Sequence, residues 1–209
     1  MKLFAHLLVA GFVAASSFSA VANEAAPAKY KPDLAKGEAS FGAVCGACHG
    51  ADGNSPTGAY PKLAQQHPEY LVKQLQEFKS GKRDNAVMKG FASALSDEDM
   101  RNIAFWLASQ KSAPGFAQNK DTVRLGERIY RGGIADRQIA ACAGCHSPNG
   151  AGIPAQYPRL AGQHAGYTEA QLKAFRDGVR HNNAQMTGVA AKMNDREIKA
   201  VADYIAGLR

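Results

Sequence analysis

Two copies of one five-residue pattern constrain the fold of this chain more than any other feature. The pattern reads CGACH at 45–49 and CAGCH at 142–146. Covalent attachment of a c-type haem requires this arrangement, because each thiol forms a thioether bond and the following imidazole is held against one face of the iron. The pattern therefore predicts two haems, attached through Cys45, Cys48, Cys142 and Cys145 and ligated by His49 and His146.

Other uses of paired cysteines explain the pattern less well. A zinc site would pool two cysteine pairs, or one pair with two histidines, and would not need a histidine after each second cysteine. A thioredoxin-like redox pair would lie between a strand and a helix, and no strand pattern flanks either motif. A plain disulfide within each pair leaves the repeated histidine unexplained.

The N-terminus has the pattern of an export signal. A basic residue near the start precedes an apolar run at 7–15, and small residues close the segment at 20–22. This order predicts a signal peptide at 1–22 that is removed on export, followed by a flexible stretch at 23–32. A membrane anchor fits less well, because serines interrupt the run and it is shorter than the ~20 residues of a span. We therefore expect a periplasmic protein with no integral membrane span.

The charge and the size of the chain narrow its function further. The formal net charge is +7 at pH 7, without a dense block of Lys and Arg, and haem propionates would offset part of it. Nucleic-acid binding is therefore not expected. Each half has fewer than about 100 residues with which to build a core, and a large apolar haem in each would supply the missing surface.

The remaining patterns are helical, so we predict an all-α fold. Asp33 is an N-cap for a helix that reaches toward Phe41. Apolar residues recur at helical spacing over 68–80, and Ser96 opens another helix with an acidic first turn.

The second half of the chain repeats the first. At an offset of 97, ten of the 21 positions from 63 to 83 are identical to their counterparts from 160 to 180. A one-residue insertion then moves the offset to 98, and about eight extra residues at 132–139 precede the second haem motif. We therefore predict a tandem with lobe 1 at 33–111, a linker at 112–120 and lobe 2 at 121–209.

The repeat also selects candidates for the second axial ligand, because a ligand that is used twice should occur at matched positions. Met88 and Met186 pair with each other, whereas Met100 and Met193 align with aliphatic residues and are expected in the core. We expect Met88 and Met186 to lie in loops that aim a thioether at the iron, which gives the axial pairs His49–Met88 and His146–Met186.

A second matched pair keeps an alternative open. His67 and His164 also align, and they would give two bis-histidine haems. Both begin an amphipathic helix, where a solvated or capping histidine is the simpler interpretation. Methionine–histidine ligation is the arrangement of electron-carrying cytochromes c and raises the reduction potential, which favours the methionines.

Several motifs together resemble the dihaem cytochrome c4 family. They are the tandem Cys-x-x-Cys-His motifs, the Tyr-Pro-x-Leu-Ala-x-Gln-His-x-x-Tyr segments that begin at Tyr60 and Tyr157, and the Asn-Ala-x-Met segments at Asn85 and Asn183. The resemblance covers essentially the whole chain after the signal. It implies two class I cytochrome c domains around a pseudo-twofold axis, each wrapped around one covalently attached haem, with the propionates near the lobe interface.

The resemblance also implies a function without catalysis. It implies one-electron transfer in the periplasm, from a quinol-oxidising complex (quinol:cytochrome c reductase) to a haem-copper terminal oxidase. Peripheral association with the membrane stays open. The main alternative is a dihaem electron-transfer subunit of a sulfide or sulfur-compound dehydrogenase, and a small dihaem peroxidase is a third.

Residue roles follow from the same resemblance. It implies that the carbonyls of Pro61 and Pro158 accept hydrogen bonds from the proximal histidines. It also implies close helix crossings in which Gly37 with Phe41 faces Trp106, and Gly126 with Tyr130 faces Tyr204.

A basic stripe lies outside the haem motifs. Lys120, Arg124, Arg128 and Arg131 are spaced along one side of the helix that opens lobe 2. A solvated helix face is one interpretation, and a docking patch for an acidic partner is the other.

Overall fold

The computed structural model of the protein describes residues 30–209. The predicted signal peptide at 1–22 and most of the stretch at 23–32 lie outside the described residues. Residues 32–209 form one unit, so the two lobes can be described together. Within 30–209 the regular structure is helical, with two isolated β-bridges and no strand, which agrees with the predicted all-α class.

Lobe 1 contains five helices whose ends follow the local chemistry. The Asp33 side chain accepts a hydrogen bond from Lys36 N and caps the first helix, and Gly81, in the left-handed region at φ 81°, ends the third. Ser96 and Asp99 form a capping box at the start of the fifth. The helices are α1 (Leu34–Val44), α2 (Gly46–His49), α3 (Pro68–Ser80), α4 (Ala86–Ser93) and α5 (Asp97–Ser109).

Lobe 2 repeats this order. Its helices are α6 (Val123–Gly132), α7 (Ala143–His146), α8 (Ala165–Arg176), α9 (Ala184–Ala190) and α10 (Asp195–Ala206). The extra residues at 132–139 make a tight turn that Ile134 and Ile139 close through a β-bridge around the 3₁₀ turn Ala135–Arg137. Ile139 is buried in the core of the lobe, so the insertion is packed rather than looped out.

In each lobe the first helix crosses the last at a glycine, as the resemblance implied. A Cβ on Gly37 would collide with the carbonyl oxygen of Asn102 in α5. A Cβ on Gly126 would collide with the corresponding carbonyl oxygen of Ala200 in α10. Aromatic pairs complete both crossings, with ring centroids 4.9 Å apart for Phe41–Trp106 and 5.6 Å apart for Tyr130–Tyr204.

Each lobe has its own apolar core, built around its crossing helices. Met100 is fully buried in lobe 1, and Met193 is 4 % exposed in lobe 2. Both methionines are therefore core residues, as predicted.

The predicted linker has no regular structure, but it is not a loose tether. Lys62 Nζ donates to the carbonyls of Ala113 and Gly162, which ties the start of the linker to both lobes. The backbone N–H groups of Gln118 and Asn119 donate to the carboxylate of Asp203 in α10. The segment is therefore docked by backbone hydrogen bonds that the Pro-Gly composition did not reveal.

Within residues 30–209, no helix combines the length and the apolar character needed to cross a bilayer.

Two glycines of α1 give a matched test of the crossing. Gly37→Ala forces a methyl group into the α5 backbone, and we expect it to lower the free energy of unfolding by about 3 kcal/mol. Gly42→Ala in the same helix meets no atom within 4 Å and should raise stability by about 0.5–1 kcal/mol, because alanine favours the helix. Denaturant unfolding followed by circular dichroism measures both, and equal effects would contradict the crossing.

Candidate haem sites

One turn of helix assembles each attachment motif. In lobe 1, Cys48 N and His49 N both donate to Cys45 O, at 3.2 and 3.0 Å. In lobe 2, the same bonds from Cys145 N and His146 N to Cys142 O are 3.2 and 2.8 Å. Helices α2 and α7 therefore hold two thiols and an imidazole within a single turn, which is the donor set that haem c attachment uses.

Both proximal histidines are buried and are oriented in the same way. The Nδ1 atoms of His49 and His146 donate to the carbonyls of Pro61 and Pro158, each at 3.0 Å. This confirms the hydrogen bonds that the resemblance implied. The other ring nitrogen, Nε2, has no hydrogen-bond partner among residues 30–209, so it is the nitrogen left for a metal. Burial lowers the pKa of both histidines, and the bond to the proline carbonyl only partly offsets this.

Aromatic side chains support each imidazole. The ring of Tyr60 packs edge-on against His49, with centroids 6.1 Å apart. Tyr157 packs in the same way against His146, at 5.9 Å. Each tyrosine directly precedes the proline that accepts the Nδ1 hydrogen bond, so a single short segment orients the histidine twice.

The alternative uses of the cysteines find no support in the geometry. None of the four cysteines forms a disulfide. Burial raises the pKa of Cys45 and of Cys142 to about 11, whereas a reactive redox thiol needs a lowered pKa. Among residues 30–209, no group of three or more His, Cys, Asp or Glu side chains could hold a metal ion, so the two cysteine pairs are not pooled.

Met88 and Met186 do not lie in loops, and that expectation was wrong. Each occupies the first turn of a short helix, α4 or α9. The side chains of Asn85 and Asn183 cap these helices and accept hydrogen bonds from Met88 N and Met186 N, at 2.9 and 2.8 Å. The Asn-Ala-x-Met segments are therefore helix caps that fix the methionine backbone in the same way twice.

The two methionines differ in their packing. Met186 is half-buried and contacts the core cluster of lobe 2, which Cys142 also contacts. Met88 is half-buried as well, but it is not among the residues packed against the core cluster of lobe 1.

His67 and His164 bridge the two lobes. His67 Nε2 donates to Ala151 O of lobe 2 at 2.9 Å, and His164 Nε2 donates to Ser55 O of lobe 1 at 2.8 Å. The two contacts are nearly reciprocal, because at the offset of 97 Ala151 matches Asn54, the residue directly before Ser55. The Nε2 nitrogen of each histidine is therefore already engaged by a backbone carbonyl.

Two glutamines add a second reciprocal set of contacts. The Gln66 side chain accepts from Arg159 N and donates to Arg159 O, at 2.8 and 2.9 Å. The Gln163 side chain makes the same pair of bonds with Lys62, at 3.0 and 2.9 Å. A glutamine of each lobe thus forms hydrogen bonds with the backbone of the other lobe, at the residue directly after the proline that orients the proximal histidine.

A buried polar layer between α3 and α8 was missed by sequence reasoning. Arg83 donates to Gln74, Tyr167 and Gln171, and it stacks on Phe78 with 4.5 Å between guanidinium and ring centroid. Arg180 makes the mirror contacts with Gln171, Tyr70 and Gln74, and it stacks on Phe175. The signal was present, because these residues occupy identical matched positions in the repeat.

The residues of the sites fit a haem. Arg159 Nε is buried and has no hydrogen-bond partner among the described residues, and burial lowers the pKa of this guanidinium. Arg159 directly follows Pro158, whose carbonyl accepts from the second proximal histidine. A cationic donor is thus left next to Pro158, and the haem propionates are anionic acceptors of the kind that it requires.

The four cations of the basic stripe are not equally available to a partner. Lys120 precedes the first turn of α6, and Arg124 and Arg128 are exposed on that helix. Arg131 instead pairs with Glu127 at 3.4 Å and donates to Tyr204 OH at 3.0 Å. Arg124 and Arg128 are therefore the cations of the stripe that are available on the helix surface.

Two helical lobes of the same order, each with its thiols and proximal histidine on one turn, define a dihaem c-type cytochrome. The Cytochrome c family model matches residues 34–111 and 126–209. The cytochrome c4 of Pseudomonas aeruginosa is 48% identical over 180 residues, which cover 84% of this chain and 89% of that protein.

Further comparisons point the same way. The crystal structure of reduced recombinant cytochrome c4 from Pseudomonas stutzeri aligns with a TM-score of 0.82 and 44% identity, covering 86% of this chain and 100% of that chain. A thiosulfate dehydrogenase electron acceptor of Stutzerimonas stutzeri is 42% identical over 171 residues, or 79% of each chain. The chain belongs to the dihaem cytochrome c4 family, whose members are electron carriers, and its four cysteines hold two covalently bound haem c groups.

Removing one motif tests the independence of the two attachment sites. In Cys142→Ser/Cys145→Ser we expect one covalent haem per chain where the natural protein carries two, because each one-turn helix is built within its own lobe. Intact mass measurement and the haem-to-protein ratio report the number. Cys45→Ser/Cys48→Ser is the matched variant, and loss of both haems in either protein would contradict independent sites.

Proposed function

We propose that this protein is a periplasmic one-electron carrier, without substrate chemistry of its own, between a quinol-oxidising complex and a haem-copper terminal oxidase. The proposed axial pairs are His49 with Met88 and His146 with Met186. The observation that carries the proposal is the duplicated geometry, in which a carbonyl-oriented histidine and an asparagine-capped methionine recur in both lobes. A ligand set that is built twice in the same way suits two equivalent electron-transfer sites.

The histidine alternative is less well supported. The Nε2 atoms of His67 and His164 donate to carbonyls of the opposite lobe, so using them as ligands would break two hydrogen bonds at the interface. Within residues 30–209, the thioethers of Met88 and Met186 make no hydrogen bond that ligation would break. Soft sulfur also favours ferrous iron, which suits a high-potential carrier.

Electron transfer requires little conformational change in the protein. When bound, each haem supplies a one-electron iron couple. The chain keeps its ligands in place through both oxidation states, because the proximal histidine is held by a proline carbonyl and the methionine backbone by an asparagine cap. We propose that a ligand on each face leaves no site for peroxide or another substrate.

The layer between the lobes supports the proposed position of the propionates. Arg83 and Arg180 are each 8 % exposed, and within residues 30–209 their side-chain hydrogen bonds go to neutral amide and hydroxyl oxygens. Buried cations are stabilised by nearby anions. We propose that the propionates of both haems supply part of this negative charge at the lobe interface.

The periplasmic location rests on two arguments. The pattern at 1–22 is that of an export signal, although it lies outside the described residues. Covalent attachment of haem c, in addition, takes place on the outer side of the cytoplasmic membrane.

A second candidate function has one specific observation in its favour. One relative that covers most of this chain is named a thiosulfate dehydrogenase electron acceptor. The same dihaem chain could therefore receive electrons from a sulfur-compound dehydrogenase. Stopped-flow measurement compares reduction by a thiosulfate dehydrogenase with reduction by membranes that contain a quinol-oxidising complex. At equal concentrations of the two donor enzymes, the donor that reduces the protein faster identifies which of the two functions it serves.

Removing each methionine tests the proposed ligands. Met88→Ala and Met186→Ala should each abolish one of two sulfur–iron charge-transfer contributions in the oxidised spectrum and lower one reduction potential, because a soft ligand is lost. His67→Gln and His164→Gln are the controls and should keep both contributions. Persistence of both bands in the methionine variants would contradict the assignment.

Charge reversal tests whether the stripe docks a partner. Arg124→Glu/Arg128→Glu should slow reduction by donor membranes about tenfold at low ionic strength, with the difference shrinking as salt is added. Lys89→Glu changes an exposed cation of lobe 1 and should have little effect on this rate. An unchanged rate in the double variant would leave the stripe as a solvated helix face.

A further inference from the structure

The loop that leads into α9 contains the one-residue insertion that separates the two repeats. Lobe 1 has one residue, Asp84, between Arg83 and the capping Asn85, whereas lobe 2 has two residues, 181–182, between Arg180 and the capping Asn183. Asp84 is exposed and makes no hydrogen bond or ion pair through its side chain among residues 30–209. Asn182 is 5 % exposed, so the longer loop is the better buried of the two.

The other lobe supplies two of the three hydrogen bonds of the Asn182 side chain. Its Nδ2 donates to Glu77 Oε2 at 2.6 Å and to Gln74 Oε1 at 3.2 Å, both on α3 of lobe 1. Its Oδ1 accepts from Arg180 Nε at 3.0 Å. Every polar atom of this amide is thus used across, or directly beside, the interface.

Glu77 is a buried carboxylate at this interface, with two lysines close to it. It is 7 % exposed, and Lys73 and Lys82 approach it at 2.7 and 3.3 Å. Burial raises the pKa of Glu77, but hydrogen bonds from Lys73 and Asn182 outweigh this and hold the pKa below its ordinary value. The carboxylate is therefore charged at neutral pH, and a hydrogen bond to it is stronger than one between neutral groups.

The arrangement exists on one side of the pseudo-twofold axis only. The positions in lobe 2 that match Lys73, Glu77 and Lys82 are Ala170, Ala174 and Val179. At the position that matches Glu77, lobe 2 therefore has no carboxylate with which to hold the loop before Met88. The remaining contacts of the polar layer are reciprocal, so this one breaks an otherwise matched interface.

We propose that Glu77 of lobe 1 clamps the methionine loop of lobe 2 through Asn182, so that Met186 is supported by the opposite lobe and Met88 is not. Asn182 is joined by a peptide bond to Asn183, whose side chain caps Met186 N at 2.8 Å. Asn182 and Glu77 are thus positioning residues that act through the cap. The inference rests on the proposed ligand role of Met186. Its consequence is that lobe 2 retains its methionine ligand more firmly than lobe 1.

Displacement of methionine by added imidazole measures this difference at constant pH. In the oxidised holoprotein, Met88→Ala retains only the charge-transfer band of Met186, and Met186→Ala retains only that of Met88. We expect the Met88 band to disappear at lower imidazole concentration than the Met186 band. Adding Asn182→Ala should lower the concentration that displaces Met186 about tenfold, because a buried bond to a charged group is lost.

Matched variants separate the clamp from a general loss of stability. Asp84→Ala, the corresponding change in lobe 1, should leave the displacement of Met88 unchanged. Glu77→Ala should reproduce the effect of Asn182→Ala, and the double variant should add little, since both remove the same contact. Glu77→Gln keeps an acceptor oxygen without the charge and should restore part of the retention.

The outcomes distinguish the clamp from the ligand assignment. If Asn182→Ala leaves the Met186 displacement unchanged, or weakens Met88 and Met186 equally, the clamp is overturned while the ligands stand. If Met186→Ala leaves two bands in the spectrum, the ligand assignment fails, and the clamp that rests on it is overturned with it.

Discussion

The hydrogen bond from each proximal histidine to a proline carbonyl is the interaction on which the rest of the structure depends. His49 and His146 sit at the ends of one-turn helices, and a bond from Nδ1, 3.0 Å long in each lobe, leaves Nε2 as the nitrogen for iron. The segment that supplies each carbonyl also carries the tyrosine against the imidazole and the residue whose backbone binds the opposite lobe. Ligand orientation and lobe docking are therefore built from one stretch of chain.

That coupling explains why the two lobes form a single unit. Gln66, Gln163, His67 and His164 each bond to the backbone of the other lobe, close to its haem motif. The segments that orient the proximal histidines therefore also carry the contacts between the lobes. The polar layer of Arg83 and Arg180 extends the contact, and its buried cations are the reason that we propose the haem propionates at this interface.

Much of the fold follows from local patterns in the chain. The helix over 68–80 has a proline at its start, an amphipathic repeat and a glycine at its end, so its bounds were predicted correctly. Helices α4 and α9 were expected to be loops, because helices of 8 and 7 residues show too little periodicity to be recognised. Their asparagine caps were visible in the Asn-Ala-x-Met segments, but a cap without a periodic stretch behind it reads equally well as a turn.

The sequence by itself determined the chemistry that is local or repeated, namely the two attachment motifs, the tandem and the matched methionines and glycines. These follow from spacing, because thioether attachment and helix crossing depend on residues a few positions apart. Only the tertiary structure decided what His67 and His164 contact, and that Asn182 of one lobe meets Glu77 of the other. Those partners are 84 to 109 residues apart, and their pairing depends on how two folded lobes dock, which no local pattern encodes.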